Sequence, residues 1–222
     1  MISYLEEFAQ AFRAQVPGGM ISMAIPAVDW SGIYDIAELD PSIDLFMIMG
    51  YDYYWNGSTY AGPVDPHYSM TSGYDRSVAR TLSYYQGEGM PEEKILLGVP
   101  YYAREWPTAS GVPPSATTAN GVALTWAKVR NNTSGHYSPE NRHTEPNSFG
   151  PYYAYKSNGW YQCFVNDENS LRRRYKMVNR RQLAGIGIWA LGYDNAYTEL
   201  WEVIDESFAQ GVQLAGQDTI YD

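Results

Sequence analysis

The chain has little cysteine, few basic residues and no long apolar run. A single cysteine, Cys163, stands among its 222 residues, so no disulfide framework can form within the chain. Lysine and arginine number 15 against 25 acidic residues, and the net charge of −10 argues against a nucleic-acid partner. No stretch approaches the roughly 20 consecutive apolar residues of a membrane helix, so we expect no membrane partner.

Histidine is also scarce. The three histidines, at positions 67, 136 and 143, are scattered and lack the spacing of metal ligands, so we expect neither a metal nor another cofactor. One segment is densely basic, residues 172–181, and it falls in a predicted helix. We interpret it as a solvated helix face, with a phosphate or anionic-lipid site as the alternative.

Aromatic residues, by contrast, are abundant. They make up 15% of the chain, with 21 tyrosines and 7 tryptophans. Each of these side chains offers a flat apolar face and a polar tip. That combination suits stacking on sugar rings, but it also suits ordinary cores, so composition alone favours core packing.

Four short apolar runs alternate with segments of helical periodicity. Continuous apolar runs are typical of parallel strands that helices cover, so we predict an α/β fold. The predicted strands are residues 20–28, 40–55, 95–106 and 185–194, and the predicted helices are 3–15, 75–86, 167–183 and 196–210. A further short helix is predicted near residues 31–39, with Ser31 as its cap, and residues 107–165 form an insertion without helical period.

Each predicted strand ends on polar or aromatic residues. The second ends as MIMGYDYYW at residues 47–55, and the others end near Trp30, Arg104 and Trp189. In βα folds the ligand site lies at the carboxyl ends of the strands. We therefore expect one site that is built from acids, an arginine and several rings.

Several of these segments resemble one known family in chain order. MGYD at 49–52 is similar to the M-x-Y-D that ends strand six in glycoside hydrolase family 18, the chitinase-like (β/α)8 barrels. SMAIPA at 22–27 resembles the family's strand five, and GMPEEKILLGVPYYARE at 89–105 resembles the segment that leads through strand seven. Residues 160–194 resemble the end of the inserted subdomain, its helix and strand eight.

The resemblance implies roles for the residues in these motifs. Tyr51 would hydrogen-bond the carbonyl of the substrate's N-acetyl group, and Asp52 would help to position that group. Both would support catalysis without being the general acid. Met49 would line the pocket, and Tyr102 and Arg104 would shape the site and contact sugar.

Tryptophans complete the expected site. Trp189 would form the floor under the reacting sugar. Trp55 and Trp106 are assigned to substrate binding, with core packing as the alternative for both. Trp126 and Trp201 are predicted to lie in the core.

The chemistry of this family requires one group that the chain does not show. The substrate's own acetamide oxygen attacks the anomeric carbon, while one glutamate protonates the leaving oxygen. The family carries that glutamate in D-x-x-D-x-D-x-E at the end of strand four, and no stretch of the chain fits this motif. We therefore expect the isolated chain to be inactive.

The missing motif leads to an expectation about the fold. The chain would be the C-terminal half of a (β/α)8 TIM barrel, with a small α+β insertion before the last strand. Its parts would be strands five to seven at 1–106, the insertion at 107–165, the last helix–strand–helix unit at 166–210, and a tail at 211–222. The chain is then a fragment of a longer enzyme, or pairs with another chain or with itself to close the barrel, or is a stable half-barrel with some other role.

The expected function follows from the resemblance. The chain would be part of a hydrolase that cleaves β-1,4-linked N-acetylglucosamine polymers, with chitin-type or peptidoglycan-type oligosaccharides as ligands. The missing N-terminal half-barrel is a further expected partner. The alternatives are a non-catalytic, lectin-like protein of the same fold and a half-barrel assembly module. The resemblance implies a secreted or cell-surface parent enzyme, and the localisation of this chain stays open.

Overall fold

A computed structural model describes residues 2–209 as eleven strands and six α-helices. The strands are β1 Ser22–Pro26, β2 Leu45–Met49, β3 Tyr60–Ala61, β4 Ile95–Pro100, β5 Tyr102–Thr108, β6 Ser115–Ala116, β7 Val122–Thr125, β8 Arg142–Thr144, β9 Pro151–Lys156, β10 Trp160–Phe164 and β11 Gly185–Trp189. The helices are α1 Ile2–Gln15, α2 Ile36–Leu39, α3 Val78–Gly87, α4 Trp126–Asn131, α5 Glu168–Arg180 and α6 Glu199–Ile204, which continues as a π-helical turn over Asp205–Ala209. Within these residues, none of the helices is long and apolar enough to span a bilayer.

Four strands form a parallel sheet in the order β1-β2-β4-β11. One face carries Ile25, Phe46, Ile48 and Leu97, which are buried in the main core. The opposite face is more open, since Met47 is only partly buried there. Among the described strands, β1 and β11 each have one neighbour, so this sheet has two open edges.

The prediction of one strand over residues 95–106 was wrong. The chain forms two strands, β4 and β5, which are separated at Tyr101. The backbone of Tyr101 instead bonds outside both strands, because its N–H donates to the carbonyl of Trp189 at 2.8 Å and its carbonyl accepts from the N–H of Trp126 at 3.0 Å. The sequence does not show this break, because both strands are largely buried and together form one continuous run of mostly apolar residues.

A second sheet holds the residues of the predicted insertion. It is antiparallel, with the order β7-β5-β10-β9-β8. Because β5 begins at Tyr102, the last five residues before the boundary that was drawn after residue 106 belong to this sheet. Arg104 and Trp106 therefore lie in the second sheet and not at the end of a barrel strand.

The helices begin at polar caps. Asp167 caps α5 in a capping box with Ser170, and Ser77 caps α3 by accepting from the N–H of Arg80. The short helix α2 begins later than predicted, because the carboxylate of Asp35, and not Ser31, accepts from its first turn. The predicted tail, 211–222, lies outside the described residues.

Candidate active site

The site begins at the turn that follows β2. Asp52 has a φ of +58°, in the left-handed region where aspartate is tolerated better than most residues. Strand β2 ends at Met49, and the turn that follows places Asp52 next to β5 of the second sheet. The carboxylate of Asp52 thereby contacts the side chains of Tyr102 and Arg104, which lie 50 and 52 residues later in the chain.

Asp52 is bound by two residues of β5. The hydroxyl of Tyr102 donates to Oδ1 of Asp52 at 2.8 Å, and Nη2 of Arg104 donates to Oδ1 at 2.9 Å and to Oδ2 at 3.1 Å. Tyr102 and Arg104 reach the same carboxylate because residues two apart in a strand point to the same face. The ion pair is partly shielded, since the side chains of Arg104 and Asp52 are 16% and 41% exposed. This contact joins the two sheets at the site.

Tyr51 stands beside this carboxylate. Its ring packs edge-to-face on Tyr102, with the ring centroids 6.2 Å apart. Partial burial, and then the negative charge of Asp52, raise the pKa of Tyr51 above its ordinary value of 10.0. Its hydroxyl is therefore protonated at neutral pH and can donate a hydrogen bond.

Tyr102 also keeps its proton. Its side chain is buried, and burial, followed by the charge of Asp52 and the hydrogen bond to it, raises its pKa well above the ordinary value. At neutral pH the Tyr102 hydroxyl therefore donates to Asp52. The site thus contains one carboxylate with two fixed partners and one further tyrosine hydroxyl.

Two more of the expected residues share one face of the parallel sheet. The pairing of β1 with β2, β2 with β4 and β4 with β11 places Met49 and Trp189 on the side that carries Met47. Met49 is partly buried, whereas Trp189 is 53% exposed at the end of β11. An exposed indole at the carboxyl edge of the sheet offers a flat surface to a ligand.

The other tryptophans divide between surface and core. Trp55 is 53% exposed, so its alternative assignment to the core is wrong, whereas Trp126 is buried as predicted. Trp106 has no exposed surface and packs edge-to-face on Phe164, so its assignment to substrate binding was wrong. Trp201 is 43% exposed and its indole N–H donates to Asp194, so its assignment to the core was also wrong.

Sequence reasoning missed a buried ionic cluster behind the site. Arg174 has no exposed surface, and its Nε donates to Oδ2 of Asp65 at 3.2 Å, while Asn166 donates to the same oxygen at 2.9 Å. The solvated-face interpretation of residues 172–181 is therefore wrong for Arg174. No local signal could have revealed the pair, because 109 residues separate its members.

Across residues 2–209, no group of three or more histidine, cysteine, aspartate or glutamate side chains is arranged to hold a metal ion. Cys163 is buried, which raises the pKa of its thiol. The side chains at the site instead suit hydrogen bonding and ring stacking.

A parallel βα sheet with a polar site at its carboxyl edge is the architecture of TIM-barrel domains. The model of the family described as glycosyl hydrolases family 18 matches residues 1–194. This match covers most of the chain, and the chain belongs to that family.

Curated relatives of the chain include a probable endochitinase of Caenorhabditis elegans and a putative sporulation-specific glycosylase, YdhD, of Bacillus subtilis. The first is 28% identical over 178 residues, which is 73% of this chain and 28% of the relative. The second is 28% identical over 188 residues, which is 81% of this chain and 40% of the relative. The chain thus spans well under half the length of these relatives.

Solved structures confirm the fold. Catalytic domain 2 of the Group II chitinase of Ostrinia furnacalis superposes with a TM-score of 0.80 at 22% identity, over 94% of this chain and 59% of that domain. A family 18 N-acetylglucosaminidase from Paenibacillus barengoltzii gives a TM-score of 0.78 at 21% identity, over 93% of this chain and 62% of the enzyme. A family 18 chitinase from Cycas revoluta, in complex with (GlcNAc)3, gives 0.78 at 16% identity, over 93% of this chain and 62% of that one.

Proposed function

We propose that the chain is part of a glycoside hydrolase that cleaves β-1,4-linked N-acetylglucosamine polymers by substrate-assisted, retaining catalysis. The observation that carries this proposal is the carboxylate of Asp52, which is fixed by Tyr102 and Arg104 and lies near Tyr51. The exposed indole of Trp189 lies at the same edge of the sheet. Together these groups suit an acetamide-bearing sugar ring.

Tyr51 and Asp52 each form one hydrogen bond with the acetamide of the substrate. The Tyr51 hydroxyl donates to the acetamide carbonyl, and a free lone pair of the Asp52 carboxylate accepts from the acetamide N–H. The acetamide oxygen then lies under the anomeric carbon and attacks it as the glycosidic bond breaks. Arg104 and Tyr102 keep the carboxylate in place, so little reorganisation is needed at the moment of reaction.

The leaving oxygen requires a proton from a general acid. Among the described residues, no glutamate is joined by a hydrogen bond or ion pair to Asp52, Tyr102 or Arg104. We propose that another segment supplies this acid and that the four-stranded sheet is the C-terminal half of a closed barrel. The two open edges of the sheet support this proposal, as does the greater length of the relatives and structural neighbours.

The substrate class is supported by what similar proteins bind. The Cycas revoluta chitinase is described in complex with (GlcNAc)3, and the Ostrinia furnacalis domain with an N-acetylated chitooligosaccharide. The relatives include both endochitinases and a sporulation-specific glycosylase. We propose an N-acetylglucosamine chain as the ligand of this site.

The test is Asp52→Ala in a protein that also contains the segment with the general acid, which we call the completing segment. We expect turnover of N-acetylglucosamine oligomers to fall by about 10²–10³-fold, as when a fixed transition-state partner is removed. Asp75→Ala is the matched control, because Asp75 is an exposed surface acid paired with Arg80 and should leave turnover unchanged. Unchanged turnover in the Asp52 variant would contradict the proposed role.

Two further results would change the assignment. Robust turnover by the 222-residue chain alone would overturn the proposal that another segment holds the general acid. Without that acid, the rate of turnover should fall by at least about 10²–10⁴-fold. Tight binding without turnover, in a protein that contains the completing segment, would favour the lectin-like alternative.

A further inference from the structure

A positively charged cavity lies between helix α5 and the edge strand β8 of the second sheet. It has a volume of about 540 Å³, and we call it the basic pocket. Its charged lining residues are Arg142, Asp167, Arg172, Arg173 and Lys176. Four of these five side chains are basic, although the whole chain carries a net charge of −10. The pocket therefore concentrates positive charge on a protein that is acidic overall.

The basic side chains come from two elements that are distant in the sequence. Arg172, Arg173 and Lys176 belong to α5, whereas Arg142 is the first residue of β8. Arg172 and Lys176 are four residues apart on the helix, a spacing at which like charges repel and destabilise. The fold adds Arg142 to the same cavity, so the repulsion increases unless an anion lies among these groups. A solvated helix face would not involve β8, so the pocket is a feature of the tertiary structure.

Acidic neighbours offset only part of this charge. The carboxylate of Asp167 caps the first turn of α5 and also contacts Arg142. Arg172 forms an exposed pair with Glu206. Within the described part of the chain, Arg173 takes part in none of the ion pairs. The guanidinium of Arg173 therefore has no acidic partner among these residues and can bind an anion from outside.

An aromatic ring holds Arg173 in place. Its Cζ atom lies 4.5 Å from the centre of the Phe149 ring, and that ring packs edge-to-face on His67 and Tyr68. A ring beneath the guanidinium supports its face and leaves the N–H groups along its edge for a ligand. These N–H groups form a fork that matches the oxygens of a carboxylate or a phosphate. Arg173 is thus oriented before an anion arrives.

The wall that carries Phe149 is fixed by a buried turn. Phe149 has a φ of +55°, which is uncommon for a bulky residue. Next to it, the buried carboxylate of Glu145 accepts from the N–H groups of Asn147 at 3.2 Å and Ser148 at 2.7 Å. Strained backbone of this kind persists only where its surroundings fix it, and it is concentrated at ligand sites. A fixed wall also lowers the entropy cost of binding.

We propose that the basic pocket binds a phosphate group of an anionic ligand, with Arg173 of α5 and Arg142 of β8 as donors. A phosphate monoester carries about −1.5 to −2 charges at neutral pH and offers three acceptor oxygens, so it can contact both elements at once. A carboxylate carries one charge and two oxygens, and it matches four basic side chains less well. The proposal goes beyond hydrolysis at Asp52, because none of the lining residues belongs to the candidate active site.

The test measures the binding of inorganic phosphate and of inorganic polyphosphate to the intact protein by isothermal titration calorimetry. Potassium chloride keeps the ionic strength constant, because screening by salt would otherwise change the affinity. Arg173 is exposed, so Arg173→Gln should fold normally. We expect this variant to weaken the binding of at least one probe about tenfold or more, since hydrogen bonds with ionised partners are strong.

Arg80→Gln is the matched control for this substitution. It removes the same charge from an exposed arginine of α3, which is paired with Asp75 outside the pocket. At constant ionic strength, the affinity for either probe should change by less than about twofold in this variant.

A second variant tests the contribution of β8. Arg142→Gln removes the charge that this strand supplies, and it leaves Asp167 without that partner. We therefore expect a loss of phosphate affinity similar to that in Arg173→Gln. Unchanged affinity in Arg142→Gln would show that only the helix face attracts the anion, and the pocket as a binding site would be wrong.

The two probes identify the source of the phosphate. Binding of inorganic phosphate that depends on Arg173 would support a ligand with a single phosphate group. Binding of polyphosphate alone, with the same dependence, would support a polymer with repeating phosphates. If polyglutamate bound as tightly as polyphosphate, the preference for phosphate over carboxylate would be wrong.

Other results would also overturn the proposal. It fails if the native protein binds neither probe, or if Arg173→Gln and Arg80→Gln weaken binding equally, since charge at a distance would then explain the attraction. In a protein that contains the completing segment, Arg173→Gln should keep turnover of neutral N-acetylglucosamine oligomers within about twofold of the native value. A joint loss of turnover and phosphate binding would mean that the pocket belongs to the active site, and a separate phosphate site would be excluded.

Discussion

At the scale of single residues, Asp52 shows how one side chain can organise a site. Its carboxylate accepts three hydrogen bonds from Arg104 and one from Tyr102. Hydrogen bonds with an ionised partner are stronger than neutral ones, and the two-pronged contact with arginine also fixes direction. The carboxylate is therefore held in position, while part of its surface stays open to solvent for a ligand.

His67 is a residue whose surroundings give a measurable pH dependence. It is 8% exposed, its Nδ1 has no hydrogen-bond partner, and its ring packs on Tyr68 and Phe149. Burial, and then the positive charges of Arg174, Arg173 and Arg181, lower its pKa from 6.5 to about 3. The folded protein therefore keeps this histidine neutral.

The lowered pKa makes folding weaker in acid. Below pH 6.5 the unfolded chain binds a proton at His67 that the folded protein does not bind, so stability is present above this pH and is lost as the pH falls toward 3. The slope is about 1.4 kcal/mol per pH unit, so about 2 kcal/mol should be lost from this residue between about pH 7 and pH 5. His67→Phe should remove this loss, which urea unfolding at the two pH values would measure.

The control for this prediction is another histidine. His143 is exposed, so His143→Phe controls for the replacement of a histidine by an apolar ring at a surface position. If native protein and His67→Phe lost the same free energy of unfolding between the two pH values, His67 would not be the neutral, buried group described above.

At the scale of elements, the loop that follows the site is fastened to α5. Arg174 of α5 is fully buried and donates to both the side chain and the carbonyl of Asp65, which lies in this loop. The neighbouring Val64 carbonyl accepts from the N–H of Tyr53, next to Asp52, at 3.1 Å. Helix α5 therefore supports the turn that carries the site.

Removing the arginine should destabilise the whole protein. Arg174→Ala leaves the buried carboxylate of Asp65 without its positively charged partner, and such a change typically costs about 3–5 kcal/mol. Urea unfolding would measure the loss. Arg172→Ala is the matched control on the same helix, because Arg172 forms an exposed pair with Glu206 that should contribute less than about 1 kcal/mol.

Similar losses of unfolding free energy in Arg174→Ala and Arg172→Ala would contradict the claim that burial makes the Arg174–Asp65 contact costly to break. They would indicate that water reaches Asp65 in solution. A small loss for Arg174→Ala with an unchanged Asp52 site would also show that α5 does not support the site turn.

At the scale of the whole molecule, the open edges of the parallel sheet are its weakest feature. Strands β2 and β4 are paired on both sides, whereas β1 and β11 are each paired on one side within the described structure. Unpaired strand edges expose backbone groups that can pair with another chain. An edge of this kind is consistent with the proposal that a further segment closes the barrel.

Hydrogen exchange can examine these edges directly. In the 222-residue chain, we expect the outward amides of β1 and β11 to exchange about tenfold faster or more than the amides of β2 and β4, because edge groups open locally at low cost. Mass spectrometry of peptides that cover the four strands would measure the difference. Equal protection of all four strands would show that another segment or another copy already covers the edges.

The sequence by itself determined the class of fold and most of the local structure. Periodicity and caps placed α1, α3 and α5 and three of the four parallel strands, because these signals are contained within short segments. The motif around residues 49–52 pointed to the family whose model then matched residues 1–194. Tyr51 and Asp52 were predicted as site residues in the same way, since they lie within three residues of the end of β2.

Only the tertiary structure decided which side chains face the site. Trp55 and Trp106 look alike in sequence, yet one is half exposed and the other has no exposed surface. Arg174 lies in a run of similar basic residues, and its partner is 109 residues away. The reason is physical: periodicity shows that a residue has a buried or exposed side, whereas the choice of partner depends on how distant elements pack against each other.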